Sequence, residues 1–305
     1  MQSRRPTAGG KSFRFLLVAA LSVILVAVAY HAGHNRPKPV TQATNPAATK
    51  TVTPPPSKTP ATHKDAQLQQ LIDTWADQQN FHASVVATEL TGAHRSASRD
   101  ANTTMVTAST YKLFVAYATL HEVEQGTISL HTTTRTGQTV EAALQKMILQ
   151  SDNTSAEALG FLIGWDKIDS LAASVGATHT DINNYDNAGN PTRGDKHSTA
   201  ADLATIVTKL QQGTLLNTSD TQLLLRLMEK QVWRERIPAG VPSGVAVADK
   251  PGWLSPADGE SGYVENDAAI VYGPKSTYLL VIMTDGGSTQ PLVDLSSQIY
   301  QYLEH

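Results

Sequence analysis

The sequence has no cysteine among its 305 residues. That excludes disulfides, thiolate metal sites and a cysteine nucleophile, and it suits a chain that folds outside the cytoplasm without oxidative help. Acidic residues are missing from the first 64 positions, where Arg4, Arg5, Lys11, Arg14, Arg36, Lys38, Lys50, Lys58 and Lys64 fall. The net charge of −3 therefore divides into a basic leading segment and an acidic remainder, with 15 basic residues against 27 acidic ones from Asp65 on. An acidic body argues against nucleic acid as a partner.

Residues 15–30 form a long apolar run, interrupted only by Ser22 and preceded by Arg4, Arg5, Lys11 and Arg14. This is the pattern of an export signal oriented by positive-inside charge. Residues 1–14 are read as a basic cytoplasmic region and 15–30 as a signal peptide, cleavable near Ala27-Val28-Ala29, or as a single-pass membrane anchor. Residues 31–64 hold seven of the 15 prolines, with Pro54-Pro55-Pro56 among many Thr and Ala. Such a stretch cannot bury enough apolar surface to fold, so it reads as an extended stalk. The expected location is the outer face of the cytoplasmic membrane, or the exterior if the signal is cut.

The folded body is read as residues 65–305. Leu68, Leu71, Ile72 and Trp75 mark an amphipathic helix. A strand is expected over 82–90, with a turn at Thr91-Gly92 and a second strand before residue 109. Helical patterns then dominate to about residue 231. Leu144, Met147 and Ile148 line one helix, Thr154 and Glu157 form a capping-box pattern for the next, and Leu203, Ile206, Val207 and Leu210 line another. Strands return at 245–249, 264–272 and 277–284, and Leu292, Leu295, Ile299 and Leu303 close the chain as a helix. This order predicts an α/β (α+β) body: an antiparallel sheet shared by the first and last strands and flanked by helices, plus an all-helical lobe inserted between them.

Three short motifs carry chemistry. Ser109 and Lys112 are three residues apart at the start of a helical run, so they share a helix face. A serine hydroxyl needs a base, and a lysine made less basic by partial burial and the helix N-terminus can serve. The same helix end offers N–H groups to an oxyanion. Ser-x-x-Lys alone is a common accident, so it needs partners. Ser151-Asp152-Asn153 lies between two apolar helices; it caps a helix, or Ser151 relays a proton to a leaving nitrogen while Asn153 binds a substrate amide. Lys250-Pro251-Gly252-Trp253 reads as an edge strand, since proline is tolerated there. In a site, Lys250 would attract a substrate carboxylate, Gly252 would let the substrate approach, and Trp253 N–H would join Ser109 N–H in binding an oxyanion.

The order Ser-x-x-Lys, Ser-Asp-Asn, Lys-x-Gly resembles the class A β-lactamase family and its penicillin-binding relatives. Ala108-Ser109-Thr110-Tyr111-Lys112-Leu113, Met147-Ile148, Ile237-Pro238-Ala239-Gly240 and Val264-Glu265-Asn266-Asp267 also look like family landmarks, and the resemblance covers about residues 65–305. It implies a two-lobed β-lactamase/transpeptidase-like fold, no metal or organic cofactor, a monomer, and acylation of Ser109 by a β-lactam or a peptidoglycan-like peptide. Two departures stand out. The family's loop glutamate, which activates the deacylating water, has no counterpart in 178–197, where Asp181, Asp186 and Asp195 are the acids. Pro251 replaces a hydroxyl residue that would help hold a substrate carboxylate. The expected function is a β-lactamase-like hydrolase with slow deacylation; the alternatives are a D,D-peptidase or transpeptidase-like enzyme and a non-catalytic wall-binding relative.

Overall fold

The computed structural model describes residues 62–185, 189, 195–255 and 263–305. The basic region, the apolar run, nearly all of the stalk and Asp186 lie outside the described residues. Among the described residues, no helix is long and apolar enough to cross a membrane.

The strands are β1 (His63–Lys64), β2 (His82–Glu89), β3 (Arg95–Arg99), β4 (Met105–Val106), β5 (His197–Ser198), β6 (Ala246–Leu254), β7 (Val264–Tyr272) and β8 (Thr277–Asp285). The helices are α1 (Ala66–Asp77), α2 (Lys112–Glu124), α3 (Val140–Leu149), α4 (Asn153–Ile163), α5 (Trp165–Ser174), α6 (Ala200–Gln211), α7 (Thr218–Glu229) and α8 (Thr289–Glu304). Six strands form one sheet in the order β1-β3-β2-β8-β7-β6, so the first and last strands do share it, with α2–α7 inserted between them in the chain. The sheet is antiparallel except for β1, which pairs parallel to β3 through His63↔Arg95 and Lys64↔Ser96. The sheet thus recruits the last two residues that composition assigns to the stalk, because pairing with an edge strand needs backbone groups and no apolar side chain.

The sheet is covered on both faces, which is why β8 is buried almost throughout. One face packs Val85, Leu280 and Ile282 against Leu68, Ile72 and Trp75 of α1 and Leu292, Leu295 and Ile299 of α8. The other packs Ile270, Leu279, Val281 and Met283 into the helical core. There α2 is buried along nearly its whole length, which makes it the axis of the helical lobe rather than an amphipathic surface helix. Its first residue is Lys112.

One local expectation changes, and two expected strand segments join into one. The cap of α4 is Asp152, whose Oδ2 accepts the Ser155 N–H at 2.7 Å, so Thr154 already lies inside the helix. The strand expected over 245–249 continues to Leu254 through Pro251. It can do so because β6 is the sheet edge, where a residue whose N–H would point outward loses no ladder bond.

Candidate active site

Ser109 stands in a single 3-10 turn, Ala108–Tyr111, that runs directly into α2. The preceding Ala108 has φ 44°, a left-handed conformation that a residue with a side chain adopts only under constraint. Lys112, fully buried, donates to Ser109 Oγ at 2.8 Å, to the Ser151 carbonyl at 2.7 Å and to Asn153 Oδ1 at 2.6 Å; Ser151 Oγ is 3.3 Å away. Burial pushes its pKa down from 10.5 to about 7. In the neutral amine, two N–H bonds go to the Ser151 carbonyl and Asn153 Oδ1, and the lone pair is left for the Ser109 hydroxyl proton. That is the arrangement a general base needs.

Ser151 follows α3 with φ 60°, a second strained backbone within the same cluster. The turn directs its carbonyl to Lys112 and its hydroxyl to Lys250 Nζ at 3.0 Å. Ser151 Oγ is therefore within reach of both lysines and can pass a proton between them. Asn153, which lines the cleft, uses its Oδ1 on Lys112 and keeps its amide N–H groups as donors.

Lys250 is fully buried, donating to Ser151 Oγ at 3.0 Å and to the Pro251 carbonyl at 2.7 Å. Burial and the nearby Lys112 charge hold its pKa well below 10.5. Behind it, Asp249 and Asp267 are buried diagonal neighbours on β6 and β7. Burial raises both carboxyls, Asp267 to about 6, and the Asp267 charge adds to the rise at Asp249. Asp249 Oδ2 and Asp267 Oδ1 have no hydrogen-bond donor.

At Gly252 it is the nucleophile turn of the chain itself that approaches closely. A Cβ there would lie 2.7 Å from Ser109 N, 2.8 Å from Thr110 N and 2.9 Å from the Thr107 carbonyl. All three are backbone atoms, so Gly252→Ala must push β6 away from the nucleophile turn. The expected result is a loss of about 10²–10³-fold in acylation rate, the effect of removing one oxyanion donor, read by time-resolved covalent labelling. Pro251 fixes the direction of the next free donor. Proline's missing N–H belongs to the outward set of an unbroken ladder, and Trp253, two residues on, shares that set. Trp253 N–H thus points off the open edge, on the side where Ser109 lies.

Ser109, Ser151, Asn153 and Trp253 line one cleft of about 510 Å³ with Tyr111, Gln150, Asn184, Asp195, Lys196 and Trp233. Lys196 went unnoticed in the sequence, where nothing in its spacing marks it. Its ammonium lies 4.1 Å from the Trp165 ring centre and 5.1 Å from those of Tyr111 and Tyr185, and it donates to the Ile182 carbonyl at 2.7 Å and to Asn184 Oδ1. Burial lowers its pKa to about 8, while the three ring faces favour the cation. Lys196→Met should cost about 1–3 kcal/mol by leaving those acceptors unpaired, measured by thermal denaturation. Of the loop acids, Asp181 serves the chain path: its N–H and C=O bond His197 at 2.9 and 2.8 Å. Asp195 is the one described acid of the loop that lines the cleft. Among the described residues, no group of three or more His, Asp or Glu is placed to hold a metal ion.

The sequence model of the β-lactamase enzyme family matches residues 65–303. The chain belongs to that family. Solved structures agree on the architecture. PBP-A superposes with a TM-score of 0.71 at 23% identity, over 80% of this chain and 98% of that one. A mutant of PBP-A in acyl-enzyme complex with penicillin G gives the same TM-score and identity, over 80% of this chain and 99% of that one. A β-lactamase from Desulfarculus baarsii gives 0.68 at 22%, over 79% and 98%. At these identities the likeness is one of fold. A search of curated proteins gave no match. The fold expected from the resemblance, a two-lobed β-lactamase/transpeptidase-like serine hydrolase, is the one observed.

Proposed function

We propose that the chain is an extracytoplasmic serine hydrolase that opens a β-lactam amide through an acyl-serine intermediate and releases the product slowly. The observation that carries the reading is Lys112 Nζ, buried, 2.8 Å from the Oγ of Ser109, which lines the cleft. Neutral Lys112 takes the Ser109 proton as Oγ bonds to the carbonyl carbon. The oxyanion is received by Ser109 N–H and Trp253 N–H. As the C–N bond breaks, Ser151 gives its proton to the leaving nitrogen and is resupplied from the lysines on either side. An acyl-enzyme with penicillin G is known for the PBP-A mutant, a relative of the same fold.

The location rests on the basic region, the apolar run and the proline-rich stalk. Protease added to intact protoplasts should remove the body while a cytoplasmic control survives; a protected body would refute the topology. A fluorescent penicillin should label the protein covalently on a gel, and an unlabelled wild type would favour the wall-binding alternative. The loop without glutamate favours, as a second reading, a D,D-peptidase-like enzyme on the same machinery. Rapid turnover of a chromogenic cephalosporin would exclude it.

A further inference from the structure

We propose that Gln231, with Trp233 beside it, is a positioning residue for amide acylation: the strap they form across the end of α3 fixes the Ser151 hydroxyl where it hands its proton to the leaving nitrogen. The inference rests on the reading of Ser151 as that proton donor. α3 ends at Leu149, and the chain turns away through Ser151 at φ 60°. The carbonyls of Ile148, Leu149 and Gln150 therefore lose the N–H groups that a longer helix would bring them. Each is met instead by the segment that follows α7. Gln231 Nε2 donates to the Ile148 carbonyl at 2.5 Å, Val232 N–H to the Leu149 carbonyl at 3.0 Å and Trp233 Nε1 to the Gln150 carbonyl at 3.1 Å. The next carbonyl, that of Ser151, accepts from Lys112.

Gln231 ties this strap together. It is buried, and its Oε1 accepts the N–H of Val232 at 2.8 Å and of Trp233 at 3.1 Å while its Nε2 reaches α3. One side chain thus shapes the connector and docks it. The carbonyls from Ile148 to Ser151 are all held from outside the helix, the first three by the strap and the last by Lys112. A left-handed serine is costly for the backbone to keep, so it persists only where its surroundings hold it. On its far side Asp152 caps α4, and on its near side the strap is the hold. Ser151 Oγ lies 3.0 Å from Lys250 Nζ and 3.3 Å from Lys112 Nζ. Without the strap it is free to drift, and a displacement of about 1 Å at a reacting group can cost about 10²-fold. The loss falls on one step. When an amide C–N bond breaks, the electron pair leaves with nitrogen, which takes the Ser151 proton, and a lysine ammonium restores it. A nitrophenolate leaves without a proton, so a nitrophenyl ester makes no use of Ser151 as an acid.

The test follows acylation of the full chain by benzylpenicillin, read by mass spectrometry of quenched samples, and by the 4-nitrophenyl ester of N-phenylacetylglycine, read by nitrophenolate release. Gln231→Met should lower the ratio of penicillin to ester acylation rates by about 10- to 100-fold, in the direction of Ser151→Ala. Trp233→Phe removes only the Nε1 donor of a ring that is 41% exposed, so it should fold whatever becomes of Gln231→Met. It should lower the ratio by about 3- to 10-fold, the worth of one hydrogen bond. A general loosening of the site would slow both substrates alike and leave the ratio in place. Ratios unchanged in both variants, while Ser151→Ala lowers its own, overturn the strap and keep Ser151 as the acid. A ratio that Ser151→Ala leaves unmoved sinks the acid reading and the strap with it. A wild-type chain that cleaves the ester and forms no penicillin adduct sinks the β-lactam reading and the strap together.

Discussion

Ser109→Ala should abolish the covalent adduct formed with a β-lactam, and Lys112→Ala should slow its formation by about 10²–10⁴-fold, the usual worth of a positioned base. Peptide mass spectrometry locates the adduct; one on Ser151, or one that survives Ser109→Ala, would refute the assignment. Lys112→Arg should fail as badly as alanine, because a guanidinium keeps its proton. The wild-type acylation rate should rise with pH and level off above about 7, where burial has moved the Lys112 pKa. Below that value it should fall about tenfold per pH unit, as the neutral fraction falls. The same shift has a stability sign. Folded Lys112 has a pKa near 7 against 10.5 unfolded, so the folded state binds fewer protons between those values. Stability attributable to Lys112 therefore increases as pH rises through that window. Lys112→Met should flatten this slope in denaturant titrations.

The second large effect concerns release. In the proposed mechanism Lys112 and Ser151 serve acylation, but deacylation needs a base for water, and residues 178–197 hold no glutamate to supply one. Without that base the step should be about 10²–10⁴-fold slower than with one. Stopped-flow traces should then show a burst close to one equivalent followed by slow turnover. The structure selects where to restore the carboxylate. Asn183 is turned away, donating to Asp166 Oδ1 at 2.6 Å and accepting the Tyr185 N–H at 3.1 Å, whereas Asn184 lines the cleft beside Lys196. Asn184→Glu should raise the steady-state rate and leave the burst rate within a few-fold. Rapid wild-type hydrolysis with no burst would refute the account, and Asp195, the described loop acid on the cleft, would be the next residue to replace.

The elements were largely legible in the sequence because their periodicity is strong. Leu68, Ile72 and Trp75 do face the core from α1, and β7 and β8 fall within a residue of their expected ends. Gly252 was legible as a close approach, since few residue types permit one, and the three motifs in order pointed to one site. The sequence offered two caps for α4, the Ser151-Asp152-Asn153 triplet and Thr154 with Glu157, and only the backbone path decides that Asp152 precedes the first helical turn.

What the sequence determined by itself is local pattern in chain order: a serine and a lysine one turn apart, a basic segment before an apolar run, a proline-rich stretch, and a loop without glutamate. Spacing along one helix sets the Ser109–Lys112 relation, so no long-range contact is needed to read it. Which charges face the substrate was decided only by tertiary structure. Lys250 and Lys196 each follow an aspartate in the sequence, yet one is folded into the wall against Ser151 and the other enclosed by three rings. Trp233 and Trp253 are 20 residues apart in the chain and meet because the segment after α7 returns across the edge of β6. Burial and pairing of charge depend on groups brought from distant parts of the chain, and they decide what this cleft can hold.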